Sequence, residues 1–214
     1  MFIAEIGLNH LGNEDLAWKY VRELTRTSVD AITFQIREDS YYDASKPHRI
    51  ELSDQFYLDV AEFIRIKDKQ FGIAIASPCE KINFFHHIVD FWKILSMSAH
   101  DIKLVEELQK TNKQVYVSCG LCEPCYAGVK YIYTNLSRDP DDCGLSKLKD
   151  KKYSAYGLHT EGPIAIYLSS AYGVKDYFFY VRCNEDEIYP DNQGLLIHTI
   201  DKMIDGMNAC AKLF

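Results

Sequence analysis

The chain has 214 residues, 47% of them hydrophobic, with 24 Lys and Arg against 31 Asp and Glu and a formal net charge of −7. That acidic excess argues against nucleic acid or an anionic membrane surface as the main partner, because both need a basic face to displace counterions. No apolar run approaches the roughly 20 residues of a membrane span, and the length fits one domain, 1–214, large enough to bury a sizeable core.

The first expected strand is 2–9, directly after the initiator methionine, which leads us to expect no cleavable targeting segment and a cytoplasmic location. Asn13 is placed to cap a first helix whose inner face carries Trp18, Val21 and Leu24. A second strand at 31–37 is followed by a long irregular stretch, 38–53, of the kind that serves as a lid or a dimer contact. Helix 54–69, strand 71–79, helix 80–91, strand 91–98, helix 101–112 and strand 114–120 come next. Between 121 and 128 there is room for one helical turn at most, and after strand 129–136 the polar segment 137–152, with Pro140 and Gly144, allows only a short helix. Strand 153–160, helix 161–172, strand 176–183 and helix 195–212 complete the series. Eight strands alternating with helices imply a compact (β/α)8 TIM barrel, and the chemistry of that architecture sits where the strands end.

Two strand residues stand out on their own. Glu5 is a carboxylate in an apolar strand, and Lys93 an amine in another, and burial of either without a partner costs several kcal/mol, of order. They are expected to face a polar site or each other. Seven cysteines, an odd number, read as reduced thiols in a cytosolic chain. Three of them, Cys119, Cys122 and Cys125, have the spacing that iron–sulfur clusters use, although a fourth ligand is missing from the run and reduced thiols remain the default over a cluster or zinc.

The opening Ala4-Glu5-Ile6-Gly7-Leu8-Asn9-His10-Leu11-Gly12-Asn13 resembles the first strand and loop of the sialic acid synthase family. Phe34-Gln35, Ala76-Ser77-Pro78, Trp92-Lys93-Ile94 with Ser96, Val117-Ser118-Cys119-Gly120, Thr134-Asn135 and Gly157-Leu158-His159-Thr160 continue the resemblance in order along the barrel. It implies condensation of phosphoenolpyruvate with a sugar aldehyde: attack through C3, addition of water at C2, and departure of phosphate. That needs cations around a trianion, a carboxylate for protons and a Lewis acid at the aldehyde.

The resemblance also implies a divalent metal held by two histidines. His159 matches one, but the other falls on Arg182, which cannot ligate a metal. The family's strand-two lysine is Thr33, with Arg37 on the same face nearer the mouth, and Gly157 and Leu158 replace a serine and an aspartate. The family's antifreeze-like C-terminal domain is expected to be absent. The expected catalytic residues are therefore Glu5, Lys93, His159 and Arg182, with Asn9, His10, Gln35, Arg37, Ser77, Ser96, Asn135 and Asp191 binding substrate. Three readings stay open. The first is a divergent sialic-acid-synthase-like enzyme of a small anionic sugar-derived or 2-oxo acid substrate, the second a Schiff-base aldolase or lyase using Lys93, and the third a non-catalytic binding subunit, in each case with a homodimer expected.

Overall fold

The computed structural model describes residues 1–78, 80–119, 126–137, 139, 142–150, 152–160, 162–185, 189–191 and 193–211. Eight parallel strands close on themselves: β1 (Phe2–Gly7), β2 (Ala31–Ile36), β3 (Gln70–Ile75), β4 (Phe91–Ile94), β5 (Gln114–Cys119), β6 (Lys130–Thr134), β7 (Ala155–Leu158) and β8 (Asp176–Arg182). Each pairs with the next, and β8 pairs back onto β1 with Tyr180 beside Glu5. The expected (β/α)8 barrel is the observed fold.

Helices α1 (Glu14–Leu24), α2 (Asp54–Ile66), α3 (Glu80–Phe85), α4 (Ile102–Lys110), α5 (Ile164–Ser169) and α6 (Ile200–Cys210) pack outside. Their starts follow from local chemistry. Asn13, Ser53 and Asp101 each accept a hydrogen bond from an otherwise orphaned first-turn amide, at 3.0 Å from Leu16 N, 3.2 Å from Phe56 N and 3.0 Å from Lys103 N. The Ser53 hydroxyl also donates to Glu14 Oε1 at 2.6 Å, which ties α1 to α2. Trp18 packs edge-on against Phe56 and Phe63 across the same joint.

Alternation along each strand sends one set of side chains outward beneath the helices and the other into the barrel. The lower inward layer is apolar: Ile3, Ala31, Phe91, Tyr116, Ile132, Ala155 and Phe178 fill it. Gly72 leaves room for the Phe91 ring, since a Cβ there would lie 2.4 Å from it. Below this plug, Asp176 gathers the Tyr116 hydroxyl at 2.8 Å and the Lys130 ammonium at 2.9 Å. Burial alone pushes the Asp176 carboxyl up, but the hydrogen bonds from Lys130, Tyr116 and the terminal amine bring it below the usual carboxylate range. The inward layer above the plug is polar and makes the floor of the site.

Several boundaries differ from expectation. The first strand ends at Gly7 rather than residue 9, because Gly7 takes φ +57° and the chain turns through 8–12 into α1. α3 stops at Phe85, short of 91, to let β4 begin. The last helix starts at Ile200, since Leu195–Leu196 forms a ninth strand, β9, paired with Val181 and Arg182 of β8, followed by a 3-10 turn at Ile197–Thr199. Segment 38–53 holds two 3-10 turns, Asp39–Tyr41 and Pro47–Arg49, and 137–152 contains the 3-10 helix Leu145–Asp150. The expected single turn at 121–128 falls largely outside the described residues. No helix among the described residues is long and apolar enough to cross a membrane.

Candidate active site

The central feature is an ion pair inside the barrel. Lys93 Nζ donates to Glu5 Oε1 at 2.5 Å, and each side chain is only 4% exposed. Position 5 of β1 and position 93 of β4 are not neighbours in the sheet; the barrel interior brings them together. The ammonium also faces the rings of Phe178 and Tyr180, 5.1 and 5.9 Å from their centroids. Desolvation removes water as an alternative partner for either charge, so each fixes the other.

Above the pair opens a pocket of about 320 Å³ at the C-terminal rim, reached by Gln35, Arg37, Lys93, Ser96, His159 and Asp191. Tyr180 closes one side and stands edge-on to the His159 ring, centroids 5.4 Å apart. Its phenol is buried, and burial followed by the charges of Asp191 and Glu5 pushes its pKa well up, so it stays a neutral hydroxyl. On the other side the hydroxyls of Ser96, Ser118 and Thr134 form a chain with spacings of 2.8 and 2.7 Å. This ladder meets β7 at Gly157, where a Cβ would sit 2.8 Å from Thr134 Oγ1. Gly157 and the hydroxyl ladder therefore occupy each other's space.

Arg37 reaches the pocket with its charge already engaged. Nε and Nη2 donate to both oxygens of Glu38 at 3.0 Å, and the guanidinium stacks 4.2 Å from the Tyr41 centroid, with Arg49 over the same ring at 4.9 Å. The hydrogen bond from Arg37 holds the Glu38 carboxyl below its usual range. Counting charges, Lys93 and Arg37 are offset by Glu5 and Glu38, and Asp191 adds a further carboxylate. The pocket is polar and self-neutralising rather than strongly cationic.

The structure thus gathers Gln35, Arg37, Lys93, Ser96, His159 and Asp191 around one cavity, with Glu5 reaching it only through its contact with Lys93. It places the other expected site residues elsewhere. Arg182 is the main correction: its Nε donates to Gly194 O at 3.0 Å, and it lines a separate cavity between β8 and α6. Asn9 serves the backbone, donating to Val181 O at 2.8 Å and accepting from Asp191 N at 2.9 Å, which fixes the loop that carries Asp191. His10 is buried against Phe34, its Nδ1 accepting from Gly12 N at 3.0 Å, and burial lowers its pKa to about 4, so it is a neutral turn-fixing group. Asn135 donates to Asp142 O and accepts from Ser137 N, closing its own loop. Ser77 is half-buried beyond β3 and does not border the pocket.

A metal centre of the expected kind does not fit these residues. Among the described residues no group of three His, Cys, Asp or Glu side chains converges, and the position of the second histidine is an arginine turned to another cavity. Strand alternation sends Ser118 inward and Cys119 outward into the core under the helices; Cys122 and Cys125 lie outside the described residues. Ser118 and Thr134 entered only within longer matched runs, and neither they nor Tyr180 and Glu38 were expected as site residues. The parity of Phe178 and Tyr180 with Asp176, and of Ser118 with Tyr116, was the available signal.

No family model matches the chain. An uncharacterized protein of Methanocaldococcus jannaschii is 28% identical to it, across 80% of this chain and 58% of its own length. The chain therefore spans little more than half of that relative. Among solved structures, the N-acetylneuraminic acid (sialic acid) synthetase of Leptospira borgpetersenii serovar Hardjo-bovis, in complex with citrate, is similar with a TM-score of 0.87 at 20% identity, over 99% of this chain and 84% of that one. The barrel is sialic acid synthase-like. A spore coat polysaccharide biosynthesis protein of Bacillus subtilis gives 0.84 at 17% identity, over 99% and 68% of the two chains. The truncated 3-deoxy-D-arabino-heptulosonate 7-phosphate synthase of Thermotoga maritima gives 0.73 at 12%, over 100% and 87%. At these identities the likeness describes the fold.

Proposed function

We propose that this chain is an enzyme of carbohydrate biosynthesis that acts on a small anionic sugar-derived or 2-oxo acid compound, with the Lys93–Glu5 pair as its reaction centre. The observation that carries the reading is the desolvated pair at 2.5 Å, whose Lys93 borders a polar rim pocket, since a barrel of this kind keeps its chemistry at that end of the strands. The names of the similar structures, two of them sugar-acid synthases and one a polysaccharide biosynthesis protein, support the same substrate class.

The first version of the reaction is carbon–carbon bond formation with phosphoenolpyruvate. Lys93 supplies the charge that orients a carboxylate or phosphate. Glu5 accepts a proton of the water that adds at C2; the C2–O bond to phosphate then breaks, phosphate leaving with those electrons and taking up the remaining C2 hydroxyl proton as the ketone forms. His159, which borders the same pocket, donates to the aldehyde oxygen as C3 attacks. Among the described residues, the metal of the resembling family has no fitting ligand set. The test is phosphate release from phosphoenolpyruvate across a panel of aldoses. Release that depends on the aldose, and is lost in Lys93→Met and in Glu5→Gln, supports this version; release unaffected by either variant contradicts it.

A second version is favoured by the apolar rings of Phe178 and Tyr180 around the Lys93 ammonium. Such an amine, once Glu5 takes its proton, is a nucleophile for a carbonyl. Borohydride in the presence of pyruvate, followed by peptide mass spectrometry, discriminates: a reduced adduct on Lys93 supports the Schiff-base version, and an unmodified Lys93 removes it.

A further inference from the structure

The cavity that Arg182 borders is separate from the central pocket and larger, about 420 Å³, which lies within the usual range for small-molecule sites. It sits on the outer side of β8, between the chain after β7, the residues around β9 and the first turn of α6. Its electrostatics are the reverse of the central pocket's. Arg182 and Lys202 line it, and no carboxylate does among the described lining residues. Arg182 spends one donor, Nε, on Gly194 O, which aims the guanidinium and leaves both terminal nitrogens uncommitted among the described residues. A side chain at Gly194 would crowd this approach, because a Cβ would lie 3.0 Å from the backbone of Val181. Thr199 and Lys202 bring the first turn of the 11-residue α6 to the wall.

The independent observation is Gln193. It is 7% exposed, lines this cavity, and its amide oxygen is buried with no hydrogen-bond partner among the described residues. That oxygen is closed to the cavity, so the amide nitrogen is the end of the side chain left to donate to an occupant. A guanidinium, an ammonium and an amide N–H for an anion, and the ring of Tyr167 for a carbon skeleton, make a consistent set. We propose that this cavity is a second binding site, for a small organic phosphate monoester. It goes beyond the function assigned to the central pocket and does not depend on it. Because Asp191 lines the central pocket and Gln193, two residues on, lines this one, an occupant here steadies the segment that carries Asp191.

Isothermal titration of the full chain with sn-glycerol 3-phosphate, inorganic phosphate and glycerol tests the assignment. The expected result is saturable binding of the ester, at least about tenfold weaker binding of inorganic phosphate, and none of glycerol. Arg182→Gln should weaken the ester about tenfold or more and Lys202→Gln about threefold, as loss of charge-assisted contacts does. Lys202 is exposed, so its variant folds normally and keeps the test decisive if Arg182→Gln does not fold. A Glu5→Leu/Lys93→Met double variant, which empties the central pocket of its charged pair, should bind the ester as wild type does. Loss of binding in that double variant, unchanged binding in Lys202→Gln, or equal affinity for inorganic phosphate and the ester would each overturn the proposal. A wild-type protein that binds phosphoenolpyruvate but not the ester overturns it while leaving the central reading intact.

Discussion

Removing one member of the Glu5–Lys93 pair should damage the protein more than removing both. Each side chain is 4% exposed and the contact is 2.5 Å, so Lys93→Met strands a carboxylate, and Glu5→Leu an ammonium, in a space closed to water. Breaking a buried pair in this way costs about 3 to 5 kcal/mol. Glu5→Leu combined with Lys93→Met leaves two apolar side chains above an already apolar plug of Phe91, Tyr116 and Phe178, and a buried pair exchanged for apolar groups comes out within about 1 kcal/mol of neutral or on the stable side. The double-mutant cycle should therefore show a coupling energy of roughly 3 kcal/mol or more, far from additivity. Urea unfolding followed by far-UV circular dichroism and by fluorescence, which the fully buried Trp92 beside Lys93 contributes to, gives the three differences. Coincidence of the two probes licenses the two-state treatment. Single variants that each cost under about 1 kcal/mol and sum to the double would refute the desolvated pair.

Other expectations follow from neighbouring features. His10 is held near a pKa of about 4 by burial against an unfolded value near 6.5, so the unfolded chain takes up a proton that the folded chain refuses. Its contribution is complete above pH 6.5 and is lost as pH falls through about 4, up to roughly 3 kcal/mol in all. His10→Asn, which keeps an acceptor for Gly12 N, should flatten urea midpoints between pH 6.5 and 4, and an unchanged slope would contradict the assignment. Gly7→Ala forces a side chain into φ +57° and to within 2.7 Å of Asp191 Oδ2 and the Tyr180 ring. We expect a loss of about 2 kcal/mol or more by thermal unfolding. Gly157→Ala meets Thr134 Oγ1 at 2.8 Å and should cost about 1 to 3 kcal/mol. Adding Thr134→Ala should recover most of it, and a double variant no better than the single would contradict the clash.

Sequence carried the barrel well, because strand after strand of β-branched and aromatic residues followed by amphipathic helices leaves few architectures. It also carried Glu5 and Lys93, since a lone charge inside an apolar strand has to be answered by another group. Arg182 was not legible. Its parity with Phe178 and Tyr180 points it inward, but β7 pairs with β8 only as far as Phe179, and beyond that Val181 and Arg182 pair with β9 instead. Gly194 O then captures the Arg182 Nε. The same event explains the misplaced start of the last helix, because Leu195 and Leu196 fit a helical apolar stripe as well as a two-residue strand. Asn9, His10 and Asn135 stand at strand ends where polar side chains serve either a ligand or the turn itself. Which of these holds depends on backbone groups such as Val181 O and Asp142 O that no local pattern reveals.

The central question is whether Lys93, held by Glu5, borders a ligand site. Isothermal titration of the folded wild-type chain with phosphoenolpyruvate and with pyruvate, repeated on Glu5→Leu/Lys93→Met, addresses it directly. Saturable binding of at least one of them by wild type, weakened about tenfold or more in the double variant, is the expected result. Absence of binding of either compound to the folded protein, or binding that the double variant retains in full, would contradict it.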